Sequence, residues 1–362
     1  MISFLPAKAL IDWFSKNART LPWREDPEPY KVWLSEILLQ QTRTAQGLPY
    51  YYRFLEAFPN LESLAKGSEK EVLKLWQGLG YYSRARNLHR CAREVQTKFG
   101  GEFPRDIKVL QSLPGIGPYT AAAIGSICFG IPEPVVDGNV YRVISRFGGL
   151  KQASGSSGLR NNVLKILEKW IPEKEPGNFN QALMELGALV CTPQKPDCRN
   201  CPLQSGCFAF AKGKPHNFPV KKTPVKIKKR HFSYWVISNG KTLYMKRRGK
   251  GDIWEGLYDF PLTEIRLKNG SNPKKEVGKI FRGISANMPV FLGKRKLSPH
   301  KLSHQEIHAE LFFFAITGNP KLNGLVPIKI SGLDKIPVPR LIEKAQATFT
   351  SSFLPLINRK SK

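Results

Sequence analysis

Residues 113–139, LPGIGPYTAAAIGSICFGIPEPVVDGN, decide how the rest of the chain is read. Pro114 closes one helical pattern, and a second starts near Pro118-Tyr119-Thr120. Gly115 and Gly117 between them are expected in backbone conformations that a side chain would forbid. The first N–H groups of the second helix have no intrahelical acceptors and point back into the turn. That arrangement can hold a phosphate through backbone donors and the helix dipole. Asp137 follows, twenty residues after Gly117, in a tight Val-Val-Asp-Gly-Asn corner. Each half also has a plainer reading. A Gly-x-Gly turn can be only a turn, and Asp137 can simply cap a helix starting at Val140.

Charge favours the richer reading. The 362 residues carry a net charge of +29, unevenly spread: residues 1–215 hold 28 Lys+Arg against 19 Asp+Glu, and residues 216–362 hold 29 against 9. A polyanion is the expected partner. Nucleic acid is favoured over a membrane surface, because no strongly amphipathic basic helix stands out. With 41% hydrophobic residues the chain reads as folded, and its length suits two domains. No apolar run is long enough to span a membrane, and the opening MISFLPAKALIDWFSKNAR lacks a signal-peptide layout, so a cytoplasmic protein is expected.

Outward from the central stretch, residues 1–190 show apolar positions at helical spacing in AKALIDWF, YKVWLSEILLQQT, EVLKLWQGLG, RNLHRCAREVQTKFG, VYRVISRF, RNNVLKILEKWI and NQALMELGALV. Roughly ten helices are expected, an all-α domain over residues 1–214. Residues 215–230, PHNFPVKKTPVKIKKR, have no apolar period and read as an exposed basic linker, either plainly solvated or touching phosphate. Beyond it, FSYWVISN, KTLYMKRR and AELFFFAIT are strand-like runs bounded by turn residues. With helices around 274–284 and 339–347 they make an α+β domain over residues 231–362.

Several side chains can carry chemistry. Glu36 sits among Trp33, Leu34, Ile37 and Leu38, where a carboxyl loses hydration and its pKa should rise toward that of a proton donor near neutral pH. A structural Glu36 would instead need a partner such as Arg24 or Lys31. Cleaving an N-glycosidic bond requires an acid for the departing base and a negative group near the sugar, roles that Glu36 and Asp137 could divide if their environments push their pKa values apart. Cys191, Cys198, Cys201 and Cys207 follow a C-x6-C-x2-C-x5-C spacing that suits tetrahedral zinc or one iron–sulfur cluster about equally. Cys91 and Cys128 read as core thiols. Tyr81 and Tyr82 follow a glycine turn and precede Arg84, Arg86 and Arg90, so an aromatic could wedge into a base stack there. Gln40-Gln41-Thr42 is the other candidate for filling the gap left by an extruded base.

Taken together, LPWRED, YKVWLSEILLQQT, LWQGLGYYSRARNLH, LPGIGPYTA, VVDGNVYRV and FNQALMELGALVC resemble, in order and spacing, the MutY-type adenine DNA glycosylases, a branch of the endonuclease III-like helix-hairpin-helix family. The resemblance covers nearly the whole chain. It implies a multidomain protein: an all-α helix-hairpin-helix glycosylase domain with an iron–sulfur loop, then an α+β Nudix-like domain. It implies removal of adenine opposite 8-oxoguanine or guanine in double-stranded DNA by a monomer, with one [4Fe–4S] cluster per chain on Cys191, Cys198, Cys201 and Cys207. Glu36 would protonate adenine, and Asp137 would stabilise the sugar cation with Asn139 beside it. Arg24 and Gln181 would lie near the adenine. Gln41 and Tyr81 would enter the duplex, with Gly115 and Gly117 in the phosphate-binding turn.

Position 119 bears on the reaction. Bifunctional relatives carry a lysine there that forms a Schiff base with the opened sugar, whereas this chain has Tyr119, which has no amine. Hydrolysis that leaves an abasic site is therefore implied, and a glycosylase/lyase for oxidised pyrimidines is the alternative. The Nudix-like part has no RE-x-x-EE metal box, which disfavours nucleotide hydrolysis. The family senses 8-oxoguanine with a Phe-Ser-His loop; here the residues are Leu302, Ser303 and His304, so an aromatic face is given up. A non-catalytic DNA-binding iron–sulfur protein is a further alternative, opposed by the presence of both Glu36 and Asp137.

Overall fold

The structure is a computed structural model that describes residues 6–220, 227–264, 273–281 and 289–360. The chain forms two compact units, Met1–Lys66 with Asn87–Pro224, and Gly67–Arg86 with Val225–Lys362. This differs from a simple division at residue 214. Gly67–Arg86 belongs with the second unit because Gln77 hydrogen-bonds Glu343, Tyr82 donates to the Val338 carbonyl, and Arg86 pairs with Glu255 at 3.3 Å.

Among the described residues up to 189 there are twelve helical segments rather than roughly ten, the additional ones being short pieces such as Pro22–Glu25. In the first unit, one core gathers Leu10 and Phe14, Val140 and Ile144, Leu159 and Val163, and Phe179, Leu183 and Leu186. These lie on the helices Ala7–Asn17, Gly138–Gly148, Ser157–Leu167 and Pro176–Leu189. Each such buried side chain contributes about 1.5–3 kcal/mol.

The helix Pro118–Phe129 is buried from Thr120 through Ser126, and small residues let its neighbours approach closely. A Cβ on Gly177 would lie 2.7 Å from the Ser126 carbonyl oxygen and 2.8 Å from the Ile127 Cα, so glycine fixes how Pro176–Leu189 crosses this helix. In the turn that precedes it, Gly115 has φ +78° and a Cβ there would meet the Asn87 Cβ at 2.7 Å. Gly117 corrects the sequence expectation. Its φ of −90° suits any residue, and the space where its Cβ would lie is open.

The second unit is built on a mixed sheet. Its strands are β1 (Lys228–Ser238), β2 (Thr242–Arg247), β3 (Tyr258–Asp259), β4 (Leu262–Thr263), β5 (Val290–Lys296), β6 (His300–Lys301), β7 (Gln305–Ala315) and β8 (Val326–Lys329). The main path runs β3-β2-β1-β7-β5. β1 and β7 pair in parallel from Lys228↔Gln305 to Ser238↔Ala315. Alternating side chains serve opposite faces. Phe232, Tyr234, Leu311 and Phe313 meet Leu341, Ile342 and Phe349 on one face, while Trp235, Ile237, Phe312 and Phe314 meet Val277 and Phe281 on the other.

The expected linker is shorter than residues 215–230. Pro215–Asn217 forms a helical turn and β1 already starts at Lys228, while residues 221–226 lie outside the described residues. The helix expected near 274–284 is Pro273–Gly278, with residues 282–284 outside the described set. The one expected at 339–347 is Arg340–Thr348, extended by a wide turn and Leu354–Lys360.

Candidate active site

Glu36, Gln41, Gly117, Tyr119 and Asp137 line one cavity of about 780 Å³ in the first unit. Glu36 projects from the helix Pro29–Leu39, whose Val32, Trp33, Leu34, Ile37 and Leu38 are buried around it. Neither expected cation pairs with it. Lys31 is held by Asp26 and Glu28, and Arg24 by Glu185. Its partner is the Tyr119 hydroxyl, which donates to Oε2 at 2.6 Å. Burial raises the Glu36 carboxyl to about 7; the Asp137 charge adds to this, while the Tyr119 hydrogen bond and the Arg24 charge oppose it. Burial and the two carboxylates also push the Tyr119 phenol well above its ordinary value, so it stays a donor.

Asp137 fills both of its sequence readings. It caps the helix Gly138–Gly148, accepting from the Val140 N–H at 2.7 Å, and it faces the cavity. Asn139 Nδ2 donates to its other oxygen at 2.8 Å. Burial raises the Asp137 pKa as well, against the pull of those hydrogen bonds and the Arg142 charge. The two carboxyls are thus separated less by solvent than expected, and more by what holds each: Asp137 is braced in its charged form.

Arg142 is a residue that the sequence did not single out. Its guanidinium donates to Asn139 Oδ1, to the Gly187 carbonyl and to the Cys191 carbonyl, each at 2.7 Å. Gly187 is glycine because a Cβ would lie 2.5 Å from that of Asn139.

Arg24 and Gln181 lie outside the Glu36–Asp137 cavity. They line a second one of about 340 Å³ with Ser126, Ile127 and Asn178. Arg24 is still near enough for its charge to act on Glu36. Its Nε is buried with no hydrogen-bond partner among the described residues. Glu185, also missed in the sequence, fixes it: the carboxylate binds Arg19 at 2.7 Å and Arg24 at 2.9 Å. Burial alone would raise Glu185, but hydrogen bonds from the two arginines overcome this and hold it at about 2.

Cys191, Cys198, Cys201 and Cys207 line one small cavity of about 30 Å³. Among the described residues no three His, Cys, Asp or Glu side chains are gathered to hold a single metal ion. Arg146, buried in the helix Gly138–Gly148, anchors the loop by donating to the carbonyls of Cys191, Thr192, Pro193, Pro215 and Phe218 and to Cys191 Sγ at 3.3 Å. Of the remaining thiols, Cys91 is buried, and burial raises Cys128 to about 12.

Gln41 (φ 57°) and Tyr81 (φ 46°) are two of four non-glycine residues with positive φ among those described, an outlier conformation of the kind that gathers at functional sites. Tyr81 is exposed, and its hydroxyl hydrogen-bonds Ser303 within the second unit. The arginines after Tyr81 are not all free cations. Arg84 packs over Trp76 at 5.0 Å and Arg86 pairs with Glu255, leaving Arg90 exposed. Ser303 and His304 are exposed, whereas Leu302 packs against the core of its unit.

Comparison with known proteins places this geometry. Residues 34–173 match the family described as HhH-GPD superfamily base excision DNA repair protein, and residues 233–348 match the NUDIX domain family. A thermostable thymine-DNA glycosylase of known structure superposes with a TM-score of 0.51 at 30% identity, covering 57% of this chain and 95% of that one. The fold and the cavity therefore define a base-excision-repair DNA glycosylase. An adenine DNA glycosylase of Buchnera aphidicola (subspecies Schizaphis graminum) is 31% identical over 96% of this chain and 100% of that protein. That of Rattus norvegicus is 46% identical, covering 88% and 72% respectively. The chain belongs to the adenine DNA glycosylase family. Among the described residues no helix is long and apolar enough to cross a membrane.

Proposed function

We propose that this protein removes adenine mispaired with 8-oxoguanine or guanine from double-stranded DNA, by hydrolysis, as a cytoplasmic monomer. The observation that carries the reading is one cavity holding a carboxyl raised to about 7 beside a second carboxyl braced by hydrogen bonds.

Protonated Glu36 donates to the ring nitrogen of the departing adenine. The N-glycosidic electron pair leaves with the base, and the positive charge that develops on the sugar is opposed by Asp137. Asn139 holds the Asp137 carboxylate in its charged form and Tyr119 orients Glu36. Water then adds to the sugar and gives up a proton, leaving free adenine and an abasic site. Tyr119 offers no amine, so the chain has no Schiff-base nucleophile at that position.

Arg24, whose charge reaches Glu36, and Gln181 complete the surroundings of the adenine from the second cavity. Gln41 and Tyr81 enter the duplex. Gly115 gives the turn its shape, and the open space at Gly117 lets a phosphate approach the backbone N–H groups. Ser303 and His304 meet 8-oxoguanine in the opposite strand. The four cysteines fit one [4Fe–4S] cluster, which would tie the loop 191–207 together. Their thiols supply its ligands, and Arg146 offsets the negative charge that they gather.

Single-turnover kinetics of Glu36→Gln and Asp137→Asn test the assignment. Each should lose at least about a hundredfold in excision while still binding mispaired DNA. A Glu36→Gln protein that removed adenine at the parent rate would sink it.

A further inference from the structure

The catalytic cavity is acidic. Glu36, Glu133 and Asp137 contribute three carboxyls, and Arg160 is the single cation among the described residues that line it. Arg160 lies on the helix Ser157–Leu167, which is oriented by its Ser156 cap (3.2 Å to the Leu159 N–H) and by burial of Leu159, Val163 and Leu167. Its side chain is exposed and makes no hydrogen bond or ion pair with the described residues, and its charge acts on the neighbouring wall residue Tyr141. A cation that serves no internal contact among the described residues, on a cavity wall that also carries three carboxyls, is placed to meet an external anion.

A nucleotide turned out of a duplex brings a phosphate on each side of its sugar. The Asp137 and Glu133 carboxylates repel those phosphates as the sugar approaches Asp137, and a guanidinium is suited to hold one of them by paired hydrogen bonds. We propose that Arg160 binds one of the two phosphates flanking the extruded adenosine and so draws its sugar toward Asp137. This rests on the reading of the cavity as the site of that nucleotide. It is distinct from the backbone grip of the Gly115–Pro118 turn, which needs no side-chain charge.

The experiment pairs Arg160→Ala and Arg160→Lys with duplexes in which each flanking phosphate in turn is replaced by a neutral methylphosphonate. For the parent protein, one of the two replacements should weaken binding about tenfold, and the same replacement should cost Arg160→Ala nothing. With the ordinary duplex, Arg160→Ala should bind about tenfold more weakly, and the slope of log affinity against log salt should be shallower by about 0.9. Arg160→Lys should recover most of the salt slope, which a merely structural role would not give. Equal methylphosphonate losses in the parent and Arg160→Ala overturn the inference. So does an Arg160→Ala protein whose pH–rate profile shifts while its salt slope stays unchanged, because Arg160 would then act on the carboxyls alone. In either case adenine release by the parent would leave the function intact. A parent protein that frees no adenine from any mispair removes the reading and the inference together.

Discussion

The Tyr119 hydroxyl donates to Glu36 Oε2 at 2.6 Å, which ties the phenol to the carboxyl proposed as the acid. This bond favours the charged form of Glu36 and works against burial. Tyr119→Phe should therefore raise the pKa that governs the alkaline limb of the excision rate by about one unit. A pH–rate profile under single-turnover conditions checks this; an unmoved limb would show that the bond does not bear on the acid.

Excision should decline as pH rises through about 7, the value to which burial lifts Glu36. Stability should follow the same group. Its folded-state pKa lies above the ordinary 4.5, so the stabilisation linked to the bound proton is complete below about 4.5 and is lost as pH rises through about 7. Glu36→Gln should gain on the parent as pH rises, by up to about 3 kcal/mol above pH 7, in urea unfolding at several pH values. A constant difference across pH 5–8 would contradict an enclosed, raised carboxyl.

Arg142 joins Asn139, which braces Asp137, to the Cys191 carbonyl at the start of the cysteine loop. Arg142→Met keeps the stem and removes these bonds. Excision should fall about tenfold to a hundredfold, in kcat more than in affinity, because the Asp137 brace is loosened. Thermal melting together with single-turnover rates separates this from simple unfolding.

The helix pair that carries Tyr119 and Gln181 meets at Gly177, against the Ser126 backbone. Gly177→Ala should cost about 1–3 kcal/mol in stability, since the obstruction is backbone and cannot rotate aside. Denaturant unfolding measures it; a cost under about 0.5 kcal/mol would mean the helices part easily.

Purified protein should carry about four irons and four acid-labile sulfides per chain, and Cys198→Ser should lose most of both along with folding of the 191–207 loop. Metal analysis showing zinc at one per chain, and no sulfide, would replace the cluster with a structural ion.

Much of the site was legible because its signals are local. The apolar surroundings of Glu36, the Asp137-Gly-Asn corner and the Pro-Gly turn each lie within a few residues of chain. Glu185 was not legible. Its role comes from Arg19 and Arg24, more than 160 residues away in sequence, and an acidic residue in a helical pattern gives no sign of them. Arg142 and Arg146 lie in VYRVISRF, where only the apolar helical spacing was legible, yet both turn inward to carbonyls. Gly177 and Gly187 have helical backbones; what requires glycine there is a neighbouring helix, at Ser126 and Asn139 respectively. In the second unit the aromatic strands β1 and β7 stood out, whereas β6 is two polar residues and β8 is four residues interrupted by Pro327, both held as strands by pairing. The attachment of Gly67–Arg86 to that unit rests on single contacts such as Gln77 with Glu343, which no local pattern announces.

The central claim is tested most directly by single-turnover cleavage of duplexes carrying adenine opposite 8-oxoguanine, guanine or thymine, and of a duplex with thymine glycol. Each sample is divided and sized with and without hot alkali. Strand scission that depends on alkali at adenine opposite 8-oxoguanine and guanine, and is absent opposite thymine, is the result expected of a hydrolytic adenine glycosylase. Scission at thymine glycol without alkali would contradict it and require an amine nucleophile elsewhere in the cavity.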